Sequence, residues 1–371
     1  MDKRLAAALA ILLAACSSPT GPNPAALTPL ERPLQVRVLW SGSVGNGDRY
    51  VFSPAFAEGA VYAAARNGTV SRFDAASGRR IWSVTASQRL SGGVGTDGRI
   101  VAVANEDGEV VALDAANGQK RWTARVSSEV IAAPAVGTNM VLVRSIDNRV
   151  AAFDAQDGKR QWVYQRSPSS LIIRTPAGVA IDGDTAFAGF AGGKLAALAL
   201  SNGGVRWEAT VALPKGATEL ERVSDVVGAP VVLEREVCAA TYQGRVGCYE
   251  TATGRQVWAR DVSSLTGVSL DARYAFVSDD KGVVQAFDRT NGRSVWKQDK
   301  LANRQLSLPQ PYGEVVAVGD FEGYVHLLAR ETGAFVGRYA TGSGPVRAAP
   351  QPIPGGLLVE TQSGALYAVG L

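Results

Sequence analysis

Apolar residues in this 371-residue chain come in short runs of alternating or continuous hydrophobics, each cut off by a turn signal, and not at helical spacing. Val61-Tyr62-Ala63-Ala64 and Val70-Ser71-Arg72-Phe73 flank Asn67-Gly68, and a similar pattern surrounds Asp107-Gly108. Period-two alternation bounded by residues that tolerate positive φ predicts β-hairpins. A second turn follows each hairpin, as in Asp114-Ala115-Ala116-Asn117-Gly118. There the short carboxylate can accept backbone N–H groups, and the glycine can take the left-handed position that closes the turn.

These pairs of hairpins repeat. Asp-x3-Gly-x3-Trp occurs as Asp74, Gly78, Trp82, then Asp114, Gly118, Trp122, then Asp154, Gly158, Trp162, then Asp288, Gly292, Trp296. Ala199, Gly203, Trp207 and Glu250, Gly254, Trp258 are degenerate copies, Ala329, Gly333, Gly337 keeps only the glycine, and Trp40 stands one period ahead of the first. The steps from position 40 through 82, 122, 162, 207, 258 and 296 to 337 are 42, 40, 40, 45, 51, 38 and 41 residues. A period of this length belongs to four-stranded propeller blades, since one unit cannot bury its faces without neighbours.

The glycine that turns each inner hairpin counts the blades: Gly68, Gly108, Gly193, Gly244, Gly282, Gly323 and Gly364, with Asn148 in the remaining place, make eight. Gly364 opens a last strand with no Trp strand after it, while Trp40 lies on a strand with no hairpin before it. The expected fold is therefore all-β: an eight-bladed β-propeller of four-stranded antiparallel blades, closed by an N-terminal strand near 36–41 that removes the open sheet edges. Each Trp is expected on the outer strand, against the alanine-glycine surface of an adjacent blade, near Ala112 in the case of Trp122. The Asp and Trp residues are assigned to turns and packing, because a ligand site does not usually repeat eight times.

The N-terminus departs from the repeat. Lys3-Arg4 followed by the apolar stretch 5–15 reads as an export signal, too short to span a bilayer and ending in small residues. Leu13-Ala14-Ala15-Cys16 resembles the lipobox of bacterial lipoproteins, which implies diacylation of Cys16 and removal of the signal. Ser17 after it, in place of Asp, implies the outer membrane. Several acyl chains anchor stably where one would not. The domains are then a lipoprotein signal peptide at 1–15, the lipidated Cys and a flexible tether rich in Ser, Pro and small residues at 16–33, and the propeller at 34–371.

Composition narrows the function. A net charge of +4 is weak over this length, and Lys and Arg are scattered without clustering, so no nucleic-acid partner is implied. Cys238 and Cys248 flank the turn at Gln243-Gly244 and would share an oxidising compartment after export. A strict two-residue turn would pair position 238 with 249 and point Cys248 to the other face, so a disulfide requires a three-residue turn or a bulge. The one histidine, His326, sits in an apolar strand with no second His or Cys spaced to join it, and reads as structural. No catalytic residues, metal site or cofactor are expected.

A lipobox followed by eight Trp-motif repeats of the pyrroloquinoline-quinone type resembles the BamB family of outer-membrane protein assembly factors over nearly the whole chain. Two irregular segments are more specific: Leu171-Ile172-Ile173-Arg174-Thr175-Pro176, and 219–230 with Arg222-Val223-Ser224-Asp225. They resemble the Leu-x-Leu-Arg and Arg-x-Ser-Asp-Val-Asp loops with which the family contacts BamA, the barrel-inserting subunit, and they sit in or beside the long repeats. Val227 replaces the second acid of the latter loop. The resemblance implies a non-catalytic scaffold that binds a BamA-like subunit within the BAM complex, with nascent outer-membrane proteins as further candidate partners. Leu171 and Ile173 would be apolar anchors, Arg174 and Arg222 forked donors, and Asp225 an acceptor for a partner cation. In the alternative, Leu171 and Ile173 are half-buried strand residues and Arg222 pairs with Asp225. Two other function classes remain at this point, a quinone-dependent dehydrogenase and a periplasmic binding propeller for an envelope component.

Overall fold

The computed structural model describes residues 22–167 and 171–371. The signal at 1–15, Cys16 and the first part of the tether therefore lie outside the described residues. Thirty-two strands among the described residues form eight four-stranded antiparallel sheets. Seven sheets take their strands in chain order, from Ala55–Ala57, Ala60–Ala64, Thr69–Asp74 and Arg80–Thr85 in blade 1 to the blade that ends with Phe335–Ala340, blade 7. Blade 8 takes Gln351–Ile353, Gly356–Glu360 and Ala365–Gly370 from the C-terminus and Arg37–Ser43 from the N-terminus as its outer strand. The innermost strands touch in succession, and Ala55–Ala57 meets Gln351–Ile353 to close the ring. The expected propeller and its closure are thus observed, with the closing strand at Arg37–Ser43.

The core lies between blades. Ile100, Ala102 and Ala104 of blade 2, for example, pack against Val141 and Val143 of blade 3, and all are buried. Fastening across these seams comes from the Trp motif. The indole N–H of Trp122 donates to the Ala155 carbonyl of the next blade at 2.9 Å, and Trp40, Trp82, Trp162, Trp207, Trp258 and Trp296 make the equivalent bond. Each ring lies over the motif glycine of the following blade. A Cβ on Gly158 would stand 2.6 Å from Trp122 Cδ2, and its φ of +73° disfavours any side chain as well. Asp-x3-Gly-x3-Trp is therefore one joint: the glycine receives the preceding Trp, and the Trp covers the next glycine. Ala112, expected on the adjacent blade, is instead the cross-strand partner of Trp122 in its own blade. The carboxylates close the turns as anticipated, with Asp114 Oδ1 accepting the N–H of Ala116 at 2.9 Å.

The inner hairpins turn over three residues, not two. Ala240 pairs with Val246 and Cys238 with Cys248, which leaves Tyr242, Gln243 and Gly244 in the turn. This register sets both cysteines side by side, and they form a disulfide. Gln243, at φ +48°, takes the left-handed position here. Gly244 is needed for a different reason, since a Cβ on it would stand 2.6 Å from that of Ala212.

Candidate partner-binding face

In an antiparallel four-stranded blade, the connection to the next blade leaves from the same end as the inner hairpin. All such connections therefore share one face of the ring. Residues 166–178 join blade 3 to blade 4, and 211–225 join blade 4 to blade 5. These long connections carry the segments singled out in the sequence, and they expose Leu171 (42%), Ile172, Leu213 (65%) and Leu220 (68%). Leu265, on the connection from blade 5 to blade 6, is exposed as well. An isolated exposed leucine is ordinary, but a run of them on consecutive connections of one face is a candidate for an interaction surface.

Ile173 is only half-exposed, and its main-chain N–H donates to Asp225 Oδ2 at 2.8 Å. Asp225 Oδ1 accepts the N–H of Gly192 at 3.1 Å. Asp225 is buried and holds the two connections together from inside, so it does not present a free carboxylate to a partner cation. Near it lies the partly buried Arg144, whose pKa is pulled down to about 10 by loss of solvent, with Asp225 opposing that shift. Arg222 is exposed but does not pair with Asp225. Its guanidinium donates to the carbonyls of Thr218 and Ala217, both at 3.2 Å, and so shapes its own loop.

Arg174 is exposed and forked onto Glu129, with N–O distances of 2.6 and 2.8 Å. The Tyr50 hydroxyl donates to Glu129 at 2.7 Å. Burial alone would raise the Glu129 pKa, but these donors hold it below the usual carboxylate range. Glu106 beside it takes Arg66 and Arg89, with Arg49 at 3.6 Å. The apolar arc is therefore bordered by a cluster of paired charges, a pattern suited to a partner with an apolar anchor and polar rim.

Several of these residues were missed in the sequence. Leu213 and Leu220 bracket a stretch of Pro, Lys, Gly, Ala, Thr and Glu, and large apolar residues in such a connection were the available signal. Glu129 and Tyr50 had none, since they meet Arg174 only through the ring. Among the described residues, no group of three or more His, Cys, Asp and Glu side chains is placed to hold a metal ion.

The family model described as "Outer membrane protein assembly factor BamB" matches residues 66–298. The protein of that name from Bordetella pertussis is 45% identical over 348 residues, covering 94% of this chain and 90% of its own. The crystal structure of BamB from Moraxella catarrhalis superposes with a TM-score of 0.83 at 26% identity, over 91% of this chain and all of that one. The quinohemoprotein alcohol dehydrogenase of Comamonas testosteroni superposes with a TM-score of 0.72 at 14% identity, over 90% of this chain and 76% of that one, a likeness of fold alone.

Proposed function

This chain belongs to the family of the outer membrane protein assembly factor BamB, and from that premise we propose that it is a non-catalytic scaffold lipoprotein of the outer-membrane β-barrel assembly machinery. It is held at the periplasmic face of the outer membrane through Cys16. It binds the periplasmic part of the BamA-like subunit and so supports folding and insertion of outer-membrane proteins.

The observation that carries this reading is the apolar arc of Leu171, Ile172, Leu213 and Leu220 beside the Arg174–Glu129 pair, on one face of a closed ring. Joints at seven seams make the ring rigid, so loops on its face are preorganised and lose little entropy on docking. Leu171 and Ile172 supply the anchor. Arg174 supplies a planar donor whose remaining N–H groups can reach a carboxylate or carbonyl while it stays paired to Glu129. Asp225 positions the anchor by fixing Ile173. Pull-down from the native envelope in mild detergent tests the reading: recovery of the barrel-inserting subunit supports it, and repeated absence of that subunit contradicts it.

A further inference from the structure

We propose that the outer side of blade 7 is a receptor for the chain's own residues 23–34, so that the N-terminal segment leaves the propeller from the connection between blades 6 and 7 and not from the ring closure at Arg37. Blade 7 carries Gly337 where the other seven blades carry Trp. Leu34, still 46% exposed, lies against this place. Its N–H donates to the Val336 carbonyl at 2.7 Å, and its Cβ lies 3.4 Å from where a Cβ on Gly337 would be.

Further toward the N-terminus the segment is held by its backbone. Arg338 donates to the Thr28 carbonyl at 3.0 Å and Arg304 to the Ala25 carbonyl at 2.8 Å. The Ala25 N–H donates to Ala302 at 2.9 Å, and the Asn303 amide to the Asn23 carbonyl at 3.1 Å. Pro22, Pro24, Pro29 and Pro33 favour an extended chain with few conformations to lose and with carbonyls free to accept. A receptor that reads carbonyls suits such a segment.

The two arginines are set in place by a buried network. Arg304, only 2% exposed, donates to Asp320 at 2.7 Å, Asp320 meets His326 Nε2 at 2.9 Å, and His326 Nδ1 accepts Arg338 Nε–H at 3.2 Å. His326 therefore carries its proton on Nε2, and burial lowers its pKa and keeps it neutral. Burying such a network costs desolvation, and the positions matching His326 in the other blades are Ser71, Val111, Ala151, Ala196, Gly247, Gln285 and Tyr367, none of them charged or histidine. Asp320 also closes its own hairpin by accepting the N–H groups of Glu322 and Tyr324, but the blade architecture does not need the His326 link between the two arginines. Docking of the segment gives that link a role.

The consequence is a short leash. Seven residue steps separate Cys16 from Asn23, a reach of at most about 25 Å, against about 60 Å for the eighteen steps from Leu34. The docked end also lies on the face that carries Leu171, Leu213, Leu220 and Leu265. Given the lipid anchor at Cys16, the only part of the inference that rests on the preceding function, that face is held toward the bilayer.

Spin labels at Asn23→Cys and Leu213→Cys, in a soluble chain beginning at Ser17, test the docking by pulsed dipolar distance measurement. The native disulfide leaves these two thiols as the only free ones. A single narrow distance distribution is expected. Gly337→Trp, which contests the place of Leu34, and Ala25→Pro, which removes one N–H outside the propeller, should each broaden it severalfold. A broad distribution in the parent chain overturns the proposal whatever the variants do, and narrow distributions in both variants overturn the assigned receptor. No lipid or partner is present, so failure here leaves the scaffold reading standing, and absence of acylation at Cys16 would leave the docking standing.

Discussion

Asp225 accepts the main-chain N–H of Ile173 at 2.8 Å across fifty-two residues of sequence. The bond ties the connection that leaves blade 3 to the one that enters blade 5, and it makes a charged residue part of the loop's skeleton. Replacing it by alanine removes a charge-assisted bond and takes from the partly buried Arg144 the anion that most supports its charge. Asp225→Ala is expected to lose about 1.5–3 kcal/mol of stability. Amide exchange should accelerate at Ile173 and Gly192 before global unfolding, whereas Asp225→Asn, which keeps one acceptor, should fall between the two. Unchanged exchange at both amides would show that the carboxylate does not hold the loop.

The Trp122–Gly158 joint predicts a symmetric effect from either side. Trp122→Ala should cost about 3–5 kcal/mol, the usual range for emptying a buried aromatic site. Gly158→Ala should also destabilise, because the new methyl would stand 2.6 Å from the ring at a positive φ. Chemical denaturation of both variants and of the double mutant checks this. The double mutant should lose less than the sum, since removing the ring removes the clash.

The Cys238–Cys248 bridge closes a short loop. Loop-closure entropy for such a loop gives roughly 2–3 kcal/mol, so the Cys238→Ala, Cys248→Ala double variant should lower the denaturation midpoint by a matching amount. Both residues are buried in the body of blade 5, away from the loop face, so partner affinity should not move.

Glu360 gives the chain a pH dependence of a stated sign. It is buried at the seam of blades 8 and 1, its Oε2 has no hydrogen-bond partner, and burial raises its pKa well above the carboxylate range. The folded state thus keeps a proton that the unfolded chain loses near about pH 4.3. Stability contributed at low pH is lost as pH rises from there to the raised value, and then levels off. Glu360→Gln cannot titrate. Its melting temperature relative to the parent should rise with pH, clearly higher at about pH 8 than at about pH 4.5. A difference that stays constant with pH would contradict a neutral Glu360.

The ring was legible because its determinants are local. The three residues of the Trp joint and the hairpin glycine repeat with the blade period, so blade number and closure follow from spacing. Geometry across a seam was not legible: nothing near Trp122 in sequence says that Ala155 and Gly158, and not Ala112, receive it. Turn length was open for the same hairpins, because Asn-Gly marks a left-handed residue in two- and three-residue turns alike. That extra residue decides whether Cys248 faces Cys238. At the loop face, Leu171 and Arg174 carried a signal through their motif. Asp225 looked like a surface acid because Arg222 and Ser224 surround it, and its burial depends on amides thirty-three and fifty-two residues away.

The central claim is that the arc beside Arg174 docks the barrel-inserting subunit. Its most direct test is the affinity of the soluble chain for the isolated periplasmic part of that subunit, measured for the parent, Leu171→Asp, Arg174→Glu and the control Arg79→Glu in a turn of the opposite face, with melting temperatures on the same samples. Charge reversal or a buried acid facing a desolvated partner should weaken binding by about 2 kcal/mol or more, roughly 30-fold, with little change in melting temperature. The control should bind like the parent. Loop variants that bind as tightly as the control would place the contact elsewhere on the molecule and contradict the account.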